Sequence, residues 1–187
     1  MTDYLKCLTE LNGYKQISRS ISEKQTCAVF GIDRQKVYFI AELINQIHEK
    51  FFIITPDENT AKNTYDILNE ICGNCYLFPA KEYYFRNIES SSRFDENIRI
   101  DTLSHIRKDD YNAVILPAEA LCSLTISPDD FIETTLYSND TINFEELKKV
   151  IVNYGYEFFS TVEGPGQYSV RGGIIDIYPP SEESPYR

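Results

Sequence analysis

Apolar and polar positions follow one another along residues 1–120 in a pattern that predicts strands and helices in turn. Four short apolar runs predict strands, at 26–31, 51–55, 76–78 and 113–116. Apolar residues recur at helical spacing over 37–48, 56–68 and about 98–106. Because strands without alternation are typical of sheets covered on both faces, the pattern predicts the α/β class, with an open parallel sheet and right-handed crossovers.

The pattern changes after about residue 120. Phe131–Tyr137 alternates as a half-buried strand does, and a helical segment over 144–154 ends at Gly155, which predicts a left-handed cap. Two extended runs follow, at 156–162 and 168–178, joined by a Gly-Pro-Gly turn. We therefore predict two domains, 1–120 and 121–187, the second a small antiparallel sheet with one helix in an α+β arrangement.

Charge separates the two parts further. The chain of 187 residues has 29 acidic and 18 basic side chains and a net charge of -11; residues 119–187 hold 12 of the acidic and 4 of the basic ones. Such a surface repels phosphate backbones, which argues against a free-standing nucleic-acid binder. Arg171 is an isolated cation in this acidic background.

The five cysteines are odd in number and widely spread, and no apolar signal segment follows Met1. This usage predicts a reducing, cytoplasmic setting. No uncharged apolar run approaches the roughly 18–20 residues that span a membrane, so no membrane association is expected.

The turn after the first predicted strand is where a phosphate-binding loop would lie. A working loop reads G-x-x-x-x-G-K-[ST], but here Gly31 is followed by no second glycine before Lys36, and Val37 replaces the hydroxyl residue. Asp33 adds a negative charge beside the phosphate position. The degenerate loop of Gly31 and Lys36 predicts no cofactor binding, with residual nucleotide affinity as the alternative.

Other candidate chemistry is weak. Cys72 and Cys75 have the C-x-x-C spacing of redox or zinc sites, but no second pair or histidine motif completes a zinc site. Their position at a predicted helix end favours a turn at Gly73-Asn74. His48 and His105 have no nucleophile or carboxylate at a recognisable spacing, so we predict no catalytic residue and no metal site.

The most specific stretch is Gly166–Pro179, GQYSVRGGIIDIYP. It predicts a strand in which Gly172 and Gly173 allow a bulge or a close backbone approach just after Arg171, so that this side chain projects from the sheet. An arginine beside aliphatic surface is suited to protein binding, because its guanidinium can fork onto a carboxylate while its stem packs. The alternative is an ion pair between Arg171 and a nearby glutamate.

This stretch resembles the signature GEFSVRGGIIDIYPP of the bacterial transcription-repair coupling factor family, and more loosely the matching part of the excision-repair protein UvrB. Further similarity lies in Gly155-Tyr156 before Val162, in Thr55-Pro56-Asp57-Glu58, and in the final Pro-Tyr-Arg. UvrB has an intact phosphate loop, whereas the coupling factors have a degenerate one, so the loop at Gly31 favours the coupling factor. The resemblance implies a degenerate nucleotide-binding fold, like that of P-loop NTPases, for residues 1–120.

The resemblance also implies a site. Residues 121–187 match the inserted domain that docks on UvrA, cut short at Arg187. Arg171 matches the family's UvrA-contacting arginine, Ile175 a nearby apolar contact, and Gly172 the adjoining glycine. Glu157 falls where some members carry a second contacting arginine, and Gln167-Tyr168 departs from the usual Glu-Phe.

Two functions follow as hypotheses. In the first, the chain is a non-catalytic module that recruits UvrA to RNA polymerase stalled at DNA damage. RNA polymerase, double-stranded DNA, ATP and magnesium would then be bound by other domains of a longer parent, whose C-terminal region could contact this module intramolecularly. In the second, the chain is part of an ATP-binding repair protein of the UvrB type.

Overall fold

The computed structural model describes residues 7–32, 35–81, 91–127, 129–180, 182 and 184–187, without the side chains of 91–93. The chain divides into two compact units, Met1–Tyr83 with Thr102–Ser123, and Tyr84–Asp101 with Leu124–Arg187. No helix in the described ranges has the length and apolar character needed to cross a membrane.

The first unit is built on a parallel sheet. Its strands are β1 (Phe51–Thr55), β2 (Cys75–Leu77) and β3 (Ala113–Pro117), in the order β1-β3-β2. The helices that precede, connect or follow these strands are α1 (Asn12–Ser22), α2 (Lys36–Ile47), α3 (Glu58–Cys72), α4 (Ser91–Arg107) and α5 (Ala118–Leu121). Residues 91–101 of α4 belong to the second unit. The prediction of an α/β unit with a parallel sheet is confirmed.

The central strand β3 is buried on both faces. Ala113 and Ile115 pack into a cluster with residues of α2 and α3, whereas Val114 and Leu116 pack with Tyr111 and residues of α4 on the other side. Adjacent residues of a strand point to opposite faces, so β3 lies between two layers. For β3, the predicted coverage of both faces is confirmed.

The edge strand β1 differs. Phe51 and Ile53 pack against the cluster formed with α2 and α3, but Phe52 and Ile54 are 55% and 54% exposed. The cluster on the opposite face draws its strand residues from β2 and β3 and has no member from β1. The prediction that β1 is covered on both faces was therefore wrong.

The first predicted strand, at 26–31, is not a strand. Residues 25–30 have no regular secondary structure and are exposed, with Phe30 91% accessible to solvent. A short apolar run forms a strand only when it finds a partner edge and a covering layer, and its pattern does not supply either one. The sequence-based prediction was wrong at this element.

The second unit contains α6 (Phe144–Asn153) and the strands β4 (Glu157–Phe158), β5 (Gln167–Arg171) and β6 (Ile174–Ile177). Asn143 caps α6 by accepting hydrogen bonds from the backbone N–H groups of Glu145 and Glu146, and Gly155 has φ +81° just beyond its end. These local signals confirm the predicted helix.

Phe131–Tyr137 was also predicted as a strand, and that prediction was wrong. The segment has no regular secondary structure, and Ile132 and Tyr137 are 69% and 71% exposed. Beyond it the chain turns, and the Asp140 carboxylate accepts a hydrogen bond from the backbone N–H of Tyr137. Alternation alone does not make a strand, because most of the strand's hydrogen bonds must come from a neighbour.

Candidate protein-binding site

The stretch singled out by the sequence forms a β-hairpin. β5 and β6 pair antiparallel, with Arg171 opposite Ile174 and Gly172-Gly173 as the two-residue turn between them. Gly172 has φ +62°, as the first central residue of a type II′ hairpin turn requires. The predicted bulge at this point was wrong: the glycines reverse the chain, because a Gly-Gly pair between two short strands satisfies the tightest hairpin geometry.

The strand β4 is parallel to β5, so the predicted antiparallel sheet was wrong for this pair. Glu157 pairs with Gln167 and Phe158 with Tyr168. The Gln167 Oε1 atom accepts hydrogen bonds from the backbone N–H groups of Glu163 and Gly164, at 2.8 and 3.1 Å. The loop thereby carries the chain back to the end of the sheet where β4 begins, so β5 runs in the same direction as β4.

The strand register assigns each predicted site residue to a face, because paired residues on neighbouring strands point the same way. One face carries Arg171 and its neighbours, and we call it the Arg171 face; it consists of Glu157, Gln167, Ser169, Arg171, Ile174 and Asp176. The opposite face carries Tyr168, Val170, Ile175 and Ile177.

Arg171 and Ile175, predicted as neighbouring contacts, therefore lie on opposite faces of the hairpin. The aliphatic neighbour of Arg171 on its own face is Ile174, directly across the hairpin and 49% exposed. Glu157 shares the Arg171 face on β4 and is exposed. Sequence reasoning missed Ile174, although a hairpin turn at Gly172-Gly173 would have indicated it.

Asp176 forms an ion pair with Arg171 on the same face of the hairpin. The Arg171 Nη2 atom donates to Asp176 Oδ2 at 3.0 Å. Arg187 bonds the same carboxylate twice, from Nε to Oδ1 at 2.7 Å and from Nη2 to Oδ2 at 3.1 Å. The predicted alternative of an ion pair for Arg171 is thus realised, with Asp176 in place of a glutamate.

Backbone pairing brings Arg187 to this carboxylate. Tyr186 and Ile177 exchange two backbone hydrogen bonds, of 2.8 and 2.9 Å, which fasten the segment before Arg187 to β6. The hydrogen bonds from Arg187, and then those from Arg171, lower the pKa of Asp176 to about 2. Asp176 is therefore ionised at neutral pH, and its charge is compensated by two arginines.

The carboxylate and the guanidinium groups differ in exposure. The side chain of Asp176 is 11% exposed, whereas those of Arg171 and Arg187 are 59% and 68% exposed. Within the described part of the chain, Arg171 bonds through Nη2 alone. The arrangement can present the remaining N–H donors of Arg171 to a carboxylate from another molecule, beside the exposed aliphatic surface of Ile174.

The degenerate loop in the first unit has apolar surroundings. Gly31 has φ +86° and Lys36 begins α2, whereas Asp33 lies outside the described residues. A half-open cavity of about 250 Å³ is lined by Lys36 and by apolar side chains that include Ile17, Val29 and Phe39. Apart from Lys36 this lining is apolar, and one cation is a weak site for a phosphate, because phosphate binding uses convergent N–H donors.

The Cys72-x-x-Cys75 segment is a helix end, as predicted. Gly73 and Asn74 both have positive φ, and the Gly73 N–H bonds the Asn69 carbonyl at the end of α3. Burial first, and then the charge of Glu42, raises the pKa of Cys72 to about 11; burial first, and then Cys72, raises that of Cys75 to about 12. At neutral pH these thiols are therefore protonated and are poor nucleophiles.

Of the two histidines, one lies at a helix end and the other in an aromatic stack. His48 follows α2 in the left-handed conformation. His105 stacks on Tyr76, with ring centroids 4.0 Å apart, and its Nδ1 lies 3.2 Å from the Asp110 carbonyl oxygen. Over the described ranges, no group of three or more His, Cys, Asp or Glu side chains could hold a metal ion.

The hairpin lies in a region that is similar to a known protein family. The family model of the UvrB interaction domain matches residues 134–187, which include α6, all three strands and both arginines. Residues 134–187 are therefore similar to the UvrB interaction domain. The resemblance drawn from the sequence is confirmed at this level.

Curated relatives extend the similarity beyond that domain. The transcription-repair-coupling factor of Borreliella burgdorferi is 30% identical over 169 residues and 84% of this chain, that of Bacillus subtilis 27% over 154 residues and 80%, and that of Staphylococcus aureus (strain bovine RF122 / ET3-1) 26% over 183 residues and 96%. The chain spans 15%, 13% and 16% of these relatives' own lengths.

Proposed function

We propose that this chain is a non-catalytic module of a transcription-repair coupling factor and that it recruits the excision-repair protein UvrA. One observation carries the proposal: residues 134–187, which match the UvrB interaction domain, hold Arg171 more than half exposed on a hairpin. A rigid strand end that presents an arginine is a suitable anchor for a protein partner.

The Arg171 face supplies the contacts in this proposal. Arg171 would fork onto a carboxylate of UvrA, and Ile174 would pack beside the arginine stem. Gly172 sets the turn that brings these two residues side by side, and Glu157 lies on the same face. Ile175 points to the opposite face, so a contact through Ile175 would need the partner to reach around the hairpin edge.

Binding of purified UvrA to the immobilised chain tests the proposal. We expect Arg171→Ala to weaken binding by about tenfold or more, as loss of an anchoring arginine does. Lys148→Ala, which removes a cation from α6, is the matched control and should bind as the unchanged chain does. Equal affinity of the Arg171→Ala variant, or no UvrA binding by the unchanged chain, would contradict the proposal.

We further propose that the first unit is a nucleotide-binding-like sheet whose phosphate loop no longer binds nucleotide. The missing second glycine, Val37 in place of a hydroxyl residue and a cavity whose lining is apolar apart from Lys36 support this. Titration calorimetry with ATP and magnesium should give no saturable heat. A saturable heat would favour the alternative of an ATP-binding protein of the UvrB type.

The remaining activities would belong to other parts of a longer parent. We propose that RNA polymerase, double-stranded DNA, ATP and magnesium are bound there, and that the C-terminal region of the parent contacts this module and hides the UvrA site. If so, UvrA should bind this chain more tightly than it binds a full-length coupling factor of the same organism. Equal affinities would remove the case for the intramolecular contact.

A further inference from the structure

Asp176 forms ion pairs with both Arg171 and Arg187, and its side chain is the least exposed of the three. Its carboxylate is 11% exposed, and it sits on β6 directly opposite Ser169, two residues from Arg171 along the neighbouring strand. The Ser169 hydroxyl donates to the Ser160 carbonyl, so it does not compete for Asp176. Among the described residues, the side-chain hydrogen bonds to the Asp176 carboxylate come from the two arginines, which orient it.

The two arginines share this carboxylate unequally. Arg187 spans both oxygens, through Nε and Nη2, whereas Arg171 bonds only Oδ2 through Nη2. The backbone pairing of Tyr186 with Ile177 holds the segment before Arg187 against β6. Asp176 thus keeps its orientation through Arg187, and a single edge of the Arg171 guanidinium is tied to it.

The charges of this cluster favour binding of a further carboxylate by Arg171 while Arg187 holds Asp176. Arg171, Arg187 and Asp176 together carry one net positive charge, which attracts a second carboxylate to Arg171, whereas Glu157 on β4 adds a negative charge elsewhere on the same face. An arginine side chain that is free in solution loses rotamer entropy when it binds, whereas one already held at one edge loses less.

We propose that Asp176 is a positioning residue: it holds the Arg171 guanidinium at one edge and thereby aims the remaining N–H donors at a carboxylate of the protein partner. This inference rests on the proposed function, because the partner used to test it is UvrA. Asp176 itself would make no contact with the partner and would act through Arg171.

A double-mutant cycle separates this role from a purely structural one. UvrA binding is measured for the unchanged chain, Asp176→Asn, Arg171→Ala and the double variant, recording the dissociation rate and the fraction of active molecules. Asp176→Asn is nearly isosteric and should speed UvrA dissociation by about fivefold to tenfold while the active fraction stays unchanged. In the Arg171→Ala background, Asp176→Asn should have no further effect, because coupled residues are not additive.

A second variant covers loss of folding. If circular dichroism shows that Asp176→Asn is partly unfolded, the cycle is run with Asp176→Glu, which keeps the charge and shifts the carboxylate by one carbon–carbon bond. We expect Asp176→Glu to speed dissociation by about threefold or more, again only when Arg171 is present. Ile151→Val in α6, a buried residue of the same unit, controls for destabilisation and should leave the dissociation rate unchanged.

Each outcome is decisive. Faster dissociation that disappears without Arg171 supports the positioning role. An unchanged rate, tighter binding of Asp176→Asn, or an equal effect in the Arg171→Ala background overturns it. If the unchanged chain does not bind UvrA, or Arg171→Ala binds equally well, the proposed function fails and the positioning role fails with it; if only the Asp176 variants are silent, the proposed function stands.

Discussion

At the scale of single residues, the site depends on how one carboxylate is shared. From the sequence, Arg171 is an isolated cation in a region with 12 acidic and 4 basic side chains. The fold gives it Asp176, and gives Asp176 a second arginine, Arg187, eleven positions further along the chain. Arg171 is therefore not merely surrounded by the negative charges of this region. One buried carboxylate, that of Asp176, binds it in a defined geometry.

The depressed pKa of Asp176 predicts a pH dependence of folding. The unfolded carboxyl titrates near pH 4, whereas the arginines lower the folded value to about 2, so between these values the unfolded state binds more protons. The stability that this group contributes is fully present above about pH 5 and is lost as the pH falls through about 2.

Urea unfolding of the unchanged chain and of Asp176→Asn at several pH values measures this contribution. The difference in unfolding free energy should be constant near neutral pH and should shrink below about pH 4. A difference that does not change with pH would show that Asp176 is not held by the arginines in the folded state.

Thiol reactivity is a second prediction at this scale. Cys75 is 2% exposed and its pKa is about 12, whereas Cys27 and Cys122 are exposed. Alkylation near pH 8 should therefore modify Cys27 and Cys122 first and Cys75 last, since the thiolate is the reactive form. Peptide mass spectrometry over time gives the order, and labelling in denaturant is the control in which the differences should vanish. Early labelling of Cys75 would contradict the burial.

At the scale of secondary-structure elements, helix ends depend on a few neighbouring residues, whereas strand pairing depends on residues that are distant in the chain. The start of α3 at Glu58 follows its capping residue Asp57, whose carboxylate accepts from the Thr60 N–H at 2.8 Å, and was predicted from Pro56-Asp57. The helix ends at Cys72, because the turn at Gly73 stops it, whereas the sequence predicts an end at about Leu68. Caps and turns are encoded within a few residues, so they can be predicted from the sequence.

The hairpin turn gives a matched pair of substitutions. Gly172 has φ +62°, which an alanine adopts only with strain, whereas Gly173 lies outside the left-handed region, and a Cβ at either position meets no atom within 4 Å. Gly172→Ala should lower the unfolding free energy by about 1 kcal/mol, and Gly173→Ala should cost clearly less. Chemical denaturation measures both, and equal costs would argue against the turn geometry.

The cap of α6 predicts a further loss of stability. Asn143 accepts two backbone hydrogen bonds at the first turn of this helix, at 3.0 and 3.3 Å. Asn143→Ala should cost about 1 kcal/mol, whereas Asn143→Ser, which keeps a capping oxygen, should cost much less. Urea unfolding compares the two variants, and the cap would be disproved if serine and alanine destabilised the chain equally.

At the scale of the whole molecule, charge and similarity point to the same kind of partner. The net charge of -11 is concentrated in residues 119–187, the region that contains the match to the UvrB interaction domain. A strongly acidic surface steers basic partners and repels nucleic acid. Protein binding is therefore the function that the charge distribution permits for this part of the chain.

This charge distribution predicts that the chain alone does not bind DNA. Titration of a fluorescently labelled duplex with the chain should give no saturable anisotropy change, even at about 50 mM salt, where phosphate contacts are strongest. A charge-reversed variant, with Glu145 and Glu146 of α6 changed to lysine, serves to show whether acidity is the cause of any exclusion. Saturable binding by the unchanged chain would contradict the prediction.

The sequence by itself determined the class of the first unit, the start of α3, the bounds of α6, the strands β1 and β3, and the stretch that resembles a known family. These features depend on periodicity, caps and short motifs, which are local in the chain. They did not reveal that the run at 26–31 and the segment Phe131–Tyr137 lack strand partners, since pairing depends on residues elsewhere.

Only the tertiary structure decided which face of the sheet each site residue occupies. The reversal at Gly172-Gly173 sets Arg171 beside Ile174 and sends Ile175 to the other face, because a shift of one position in strand register exchanges the faces. The return of the chain at Tyr186 then brings Arg187 to Asp176. Arg171, the proposed binding residue, was visible in the sequence, whereas the residues that hold it in place were set by strand pairing.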